Sequence, residues 1–141
     1  MIGGDLSGDG HDDVAAGSPD RRVNGSYAAG KVLLPPGSGN GVTGAGTRAI
    51  TEDTTGAPGV SGANVHFGTD VDLLDTDGSG TADLAVGGPG ENLVDGLADE
   101  GAIWVLRRAT TGAPIGAGRL LSAEGFGLPA RPRGFGPEFG D

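Results

Sequence analysis

The chain has 141 residues, with 31 Gly, 9 Pro, four Phe and single Trp and Tyr residues, so one modest domain must build its core on Val, Leu, Ile and Ala. Its formal charge of −10 argues against nucleic acid and anionic membrane surfaces as partners. The absence of Cys excludes disulfides, zinc ribbons and thiol chemistry, and no apolar run approaches the ~18 residues of a membrane span.

The opening MIGGDLSGDG lacks the basic start and apolar stretch of a signal peptide. Only Ile2-Gly3-Gly4 precedes the first acidic segment, so the first structural unit is expected to lack its opening strand. The segment DLSGDGHDD at 5–13 carries side-chain oxygens at its first, third, fifth and ninth positions: Asp5, Ser7, Asp9 and Asp13. Gly10 at the sixth position permits a sharp turn. Hard divalent cations gather several oxygens, Ca²⁺ about 6–8 of them at roughly 2.3–2.6 Å. Alternate oxygens on a curled loop can converge on one ion, with the backbone carbonyl of His11 as a further ligand. The helical calcium hand fits poorly, because its twelfth position requires Glu and Ala16 stands there. Polar hairpin turns do form without a metal, but they need no fixed register of four oxygen side chains.

VAAGSP at 14–19 and AGKVLL at 29–34 read as short buried strands ended by Gly or Pro. GSYAAGKV at 25–32 nearly matches a phosphate-binding loop, but Val32 replaces the Mg²⁺-binding hydroxyl and VLLPP cannot open a helix. Gly39, Gly41 and Gly44 have dinucleotide-like spacing with no strand before and no helix after. TEDTTGAPGVSGANVHFG at 51–68 is a linker, and Asn24-Gly25-Ser26 is a glycosylation sequon that matters only in a eukaryotic protein.

FGTDVDLLD at 67–75 alternates polar with apolar residues and predicts a strand. It runs into DTDGSGTAD at 75–83, which repeats the acidic layout with Asp75, Asp77, Ser79, Gly80 and Asp83, and with Thr81 at the carbonyl position. Val86 holds the twelfth position. ADLAVGG at 82–88 is the return strand, GAIWVLRR at 101–108 a third and GRLLSAE at 118–124 a shorter fourth. Trp104, in the middle of the third strand, reads as core rather than as a sugar-stacking platform. Arg107-Arg108, Arg131 and Arg133 read as solvated charges. Gly and Pro recur too often to place a helix.

There is no Gly-x-Ser-x-Gly elbow. His11 lies within an acidic loop and His66 at a blade edge, with no evident nucleophile beside either. Enzyme chemistry is therefore not expected.

The repeat extends beyond the loops. VAAGSP matches LAVGGP at 84–89, AGKVLL matches EGAIWVL at 100–106, and Arg48, Ile50, Thr51 and Pro58 match Arg119, Leu121, Ser122 and Pro129. Phe67-Gly68 recurs as Phe139-Gly140. A unit of about 70 residues with four antiparallel strands is a propeller blade, so the fold class is all-β. The expected division is a partial blade at 1–66, a complete blade at 67–138 and the start of another at 139–141. Two blades cannot close a ring of about 4–8. The chain thus reads as a fragment of a longer protein, or as a piece that closes by assembling with its own copies.

The order Phe-Gly, strand, acidic loop, strand, Gly-x-Pro resembles the FG-GAP repeat of integrin alpha-subunit propellers and their bacterial relatives. Phe67-Gly68, Asp75 to Asp83 and Gly87-Gly88-Pro89 carry the likeness, with Asp5 to Asp13 and Gly17-Ser18-Pro19 in the first copy. Gly88 and Ser18 depart from the middle Ala of the family triplet. The linker is similar to that of secreted actinobacterial members. The resemblance implies a seven-bladed extracellular propeller with structural Ca²⁺ in its hairpin loops, about two ions in this chain. The implied function is adhesion or recognition of an unknown extracellular protein or glycan. The alternative is a lectin-like or substrate-binding module attached to a secreted hydrolase.

Overall fold

The computed structural model describes residues 2–93, 99–108 and 115–127. Two four-stranded antiparallel sheets account for its regular structure. The first contains β1 (Ile2–Gly4), β2 (Asp13–Ser18), β3 (Lys31–Leu34) and β4 (Arg48–Ile50), in that order across the sheet. The second contains β5 (Asp70–Leu74), β6 (Asp83–Gly88), β7 (Ala102–Leu106) and β8 (Gly118–Leu121), again in chain order. Each sheet is therefore a plain meander, the architecture of a propeller blade. Among the described residues, the one helical element is a 3₁₀ turn at Glu124–Phe126.

The expected strands stand where alternation and Gly or Pro punctuation put them, with one correction. The first unit does not lack its opening strand. Ile2, Gly3 and Gly4 pair with Ala15, Val14 and Asp13. Backbone hydrogen bonds alone define this short strand. Gly4 also lies against the second sheet, where an added Cβ would meet the Cβ atoms of Leu73 and Ala82 at 3.0 and 3.3 Å. The remaining expectations for the second unit's end, at Pro129, Arg131, Arg133 and the new blade at 139–141, lie outside the described residues.

One apolar core runs through both sheets. Val32, Leu34 and Ile50 of the first join Leu84, Val86, Trp104 and Leu106 of the second, with Phe67 between them. β5 is the strand that meets β1 and β2. β6 is buried along its whole length, whereas β2 alternates because one of its faces remains partly open. Trp104 is fully buried, meets the Phe67 ring edge-on at 5.0 Å and donates from Nε1 to the Pro58 carbonyl at 2.7 Å. It is a core residue with its polar edge satisfied, and it is unavailable for stacking on a sugar.

The linker is woven between the sheets. Asn64, His66 and Phe67 donate backbone N–H bonds to the carbonyls of Tyr27, Ala28 and Ala29, while Gly90 donates to Val65. The close approach at Gly17 and Gly30 requires glycine. A Cβ at Gly17 would fall 2.0 Å from the Gly68 carbonyl oxygen, and one at Gly30 would fall 2.1 Å from that of Phe67. The Phe-Gly pair of the second unit is thus seated on the glycines of the first.

Candidate functional site

The loops β1–β2 and β5–β6 have the same internal construction. In the first, Asp5 Oδ1 accepts the N–H groups of Gly8 and Asp9 at 2.6 and 3.1 Å, and Oδ2 accepts that of Gly10 at 3.0 Å. In the second, Asp75 Oδ1 accepts those of Asp77, Gly78 and Ser79 at 3.3, 2.7 and 3.0 Å, and Oδ2 accepts that of Gly80 at 2.8 Å. The fourth and sixth positions are left-handed glycines in both loops, with φ of 76° and 87° at Gly8 and Gly10, and 75° and 86° at Gly78 and Gly80. Left-handed backbone lets successive amides point inward at one carboxylate.

The other positions differ in duty. Asp9 accepts the His11 N–H at 2.9 Å. Asp77 accepts the Ser79 N–H at 3.0 Å. The Ser79 hydroxyl lies 3.0 Å from that of Thr81 and 3.5 Å from the Thr81 carbonyl oxygen. Asp13 and Asp83, at the ninth positions, are buried. Asp13 accepts the N–H groups of Ser7 and Gly37 at 2.7 and 2.9 Å, tying the loop to the segment after β3. Asp83 accepts the Thr76 hydroxyl as well as its N–H.

The structure therefore brings each loop's oxygen side chains onto the loop's own amides. The Ser79 and Thr81 hydroxyls also meet, but the carboxylates are not gathered about one point. Among the described residues, no three acidic or His side chains converge as a ready-made cation site. The donor chemistry nonetheless fits a hard cation, because the side-chain donors singled out are carboxylates and hydroxyls. The Asp75 carboxyl is held below the usual carboxylate range, foremost by the Gly80 N–H, and Asp9 likewise by that of His11. Both remain anionic at neutral pH.

The two loops share one end of the molecule. The Ala82 N–H donates to the Asp5 carbonyl at 2.8 Å, so the end of one loop touches the start of the other. Arg107 and Arg108 also reach this end. Arg107 Nε stands 3.8 Å from Asp77 Oδ2, and the Arg108 guanidinium covers Gly8, where a Cβ would meet its central carbon at 2.5 Å. Sequence reasoning read both as solvated charges. The signal available was their place at the end of β7, where a strand running toward the loops must finish.

Lys31 opens β3, so no helix follows the phosphate-loop lookalike. His66 pairs with the exposed Asp20, Nδ1 to Oδ1 at 3.2 Å, and His11 is exposed. Asn24 of the sequon has a positive φ of 48° and donates its side-chain amide to Asp53 at 2.6 Å.

Paired meanders with acidic loops at one end define a β-propeller-type module. The family model of the FG-GAP repeat matches residues 2–34, which span β1, the first acidic loop, β2 and β3. Residues 2–34 thus carry an FG-GAP repeat. The second unit lies beyond the matched residues but repeats the first strand for strand. No curated protein matches the chain. FG-GAP repeats are generally non-catalytic and usually occur in extracellular proteins. Among the described residues, no helix is long and apolar enough to cross a membrane.

Proposed function

We propose that the chain is a non-enzymatic, calcium-binding propeller unit for adhesion or ligand recognition outside the cell. The observation that carries this reading is the matched construction of the two loops. Each holds its first Asp in a cage of backbone amides and keeps its third and fifth positions at the surface. Asp5, Ser7, Asp9 and Asp13, with the His11 carbonyl, would hold one Ca²⁺. Asp75, Asp77, Ser79 and Asp83, with the Thr81 carbonyl, would hold the other. The ion would supply positive charge and cross-links at a hairpin tip, and no reaction. Arg107 offers a weaker positive partner to Asp77, and an ion there would take over that role.

Extracellular calcium modules bind at about 10⁻⁴–10⁻³ M. With Ca²⁺ at ten times the dissociation constant, each site adds about 1.4 kcal/mol of stability. Calorimetric titration of the chain is expected to show saturable binding of about two ions, as alternate-oxygen loops of this kind take one each. Asp75→Asn is expected to remove one of them. Heat-flow traces indistinguishable from buffer, for a chain shown folded by circular dichroism, would sink the calcium reading.

A further inference from the structure

We propose that Glu52 and Glu91 share one proton across the seam between the linker and the second sheet, and that losing this proton loosens the seam. This inference is independent of the calcium loops. Glu52 follows β4 and is 1% exposed, yet neither of its carboxyl oxygens has a hydrogen-bond partner among the described residues. Oε2 of Glu91, in the turn after β6, is also buried without one. Each of the two carboxyl groups acts directly on the other's ionisation, which places them as neighbours at this seam. Two carboxylates so placed have nothing to donate. One proton converts the pair into an O–H···O⁻ bond, which satisfies both groups and removes one buried charge.

The surroundings favour that proton. Among the described residues, the charged side chains acting on the pair are themselves acidic: Asp53 in the linker and Glu100 before β7. The Glu100 carboxyl is already bonded to the Leu93 N–H. The Gly62 N–H works the other way and favours the ionised form of Glu52, but it weighs less than burial and the neighbouring Glu91. Burial first, then repulsion from Glu91, pushes the Glu52 carboxyl up to about 9, and burial raises Glu91 as well. A bound cation is the rival occupant. It would need about six oxygens, whereas the pair supplies two facing carboxyls and belongs to no metal-holding group among the described residues.

The sign follows from linkage. An unfolded Glu loses its proton near pH 4.3, whereas the folded pair keeps one to about 9. The folded chain binds more protons between those values, so stability is highest below the window and falls as pH rises through it. Glu52→Gln replaces the protonated carboxyl with an amide of the same shape that also donates.

The test is thermal melting of the full chain between pH 5.5 and 9.5, in EDTA, for the parent, Glu52→Gln and Glu91→Gln. A parent melting temperature that drops with pH, flattened in either Gln variant, supports the shared proton. Equal slopes in all three would overturn it, as would a slope that appears only when Ca²⁺ replaces EDTA. Carboxyl carbon NMR on the parent tests the pair without any substitution. A Glu52 signal that titrates near 9 supports the proposal, and one that titrates near 4.3 overturns it.

Discussion

Gly88 explains a departure from the family triplet that has no reason in the sequence alone. Its missing Cβ is occupied space: an added carbon would stand 2.6 Å from Cζ3 of the buried Trp104 ring. Trp104 also bonds Pro58 and packs on Phe67, so its ring has little room to retreat. Gly88→Ala, which restores the family's usual residue, is therefore expected to destabilise this chain by about 1–3 kcal/mol through overpacking. Chemical denaturation of parent and variant reads this directly, and a variant as stable as the parent would contradict the packing account. The particular contacts of Arg107 and Arg108 and the Glu52–Glu91 pair were not legible for a different reason, although the place of both arginines at the end of β7 was. Each contact joins residues far apart in the chain, and no periodic pattern marks them.

At the scale of the element, strands and loops were the most legible features. Alternation with Gly or Pro at the ends located β2, β3 and β5 to β8; all of these but β8 carry buried side chains. β1 escaped because Ile-Gly-Gly buries little and pairs by backbone alone. The loops announced their oxygens, but the sequence could not show that Asp5 and Asp75 spend theirs on amides. That arrangement sets an acid limit. The carboxyls of Asp75 and Asp9 lie below their ordinary range, so the loop bonds persist through about pH 3.9 and are lost as pH falls through the lower folded value. Amide NMR shifts of Gly80 and His11 should titrate with midpoints below about 3.9. Midpoints at or above it would mean the cages do not form in solution. Any ion bound in the loops is expected to leave over the same acid range.

For the whole molecule, the continuous core makes cooperative unfolding the expectation. Phe67 and Trp104 belong to the same cluster as Val32 and Ile50, so neither sheet keeps its interior if the other separates. Trp104, the single Trp, lies fully buried in that cluster and reports on it. In a denaturant series, its fluorescence and the far-ultraviolet β signal should change together at one midpoint. Two separated transitions would show that the sheets unfold as independent bodies. The blade class was legible from the repeat itself, whereas the interlocking of the units was not, since it depends on glycines, such as Gly17 and Gly30, whose covering residues lie far along the chain.

The woven linker puts the unit of duplication and the unit of folding out of phase. Repeat boundaries drawn at Phe67 cut through residues 64–67, which bond the first sheet's 27–29 segment and cover Gly30. A single repeat excised there would carry away its neighbour's covering and leave its own behind. The exposed β3–β4 connection offers a better place to cut, because Gly39 to Gly44 sit at the surface and a Cβ added at Gly41 or Gly44 would meet open space. A permuted module beginning near Gly41 and running through the linker into the second sheet would keep Phe67 on Trp104 and the Gly68 N–H on the Gly87 carbonyl, together with Glu52 and Glu91. Recombination between such genes is best tolerated at that same surface loop, so natural exchange of blades should leave its scars in the β3–β4 connection rather than at the repeat boundary.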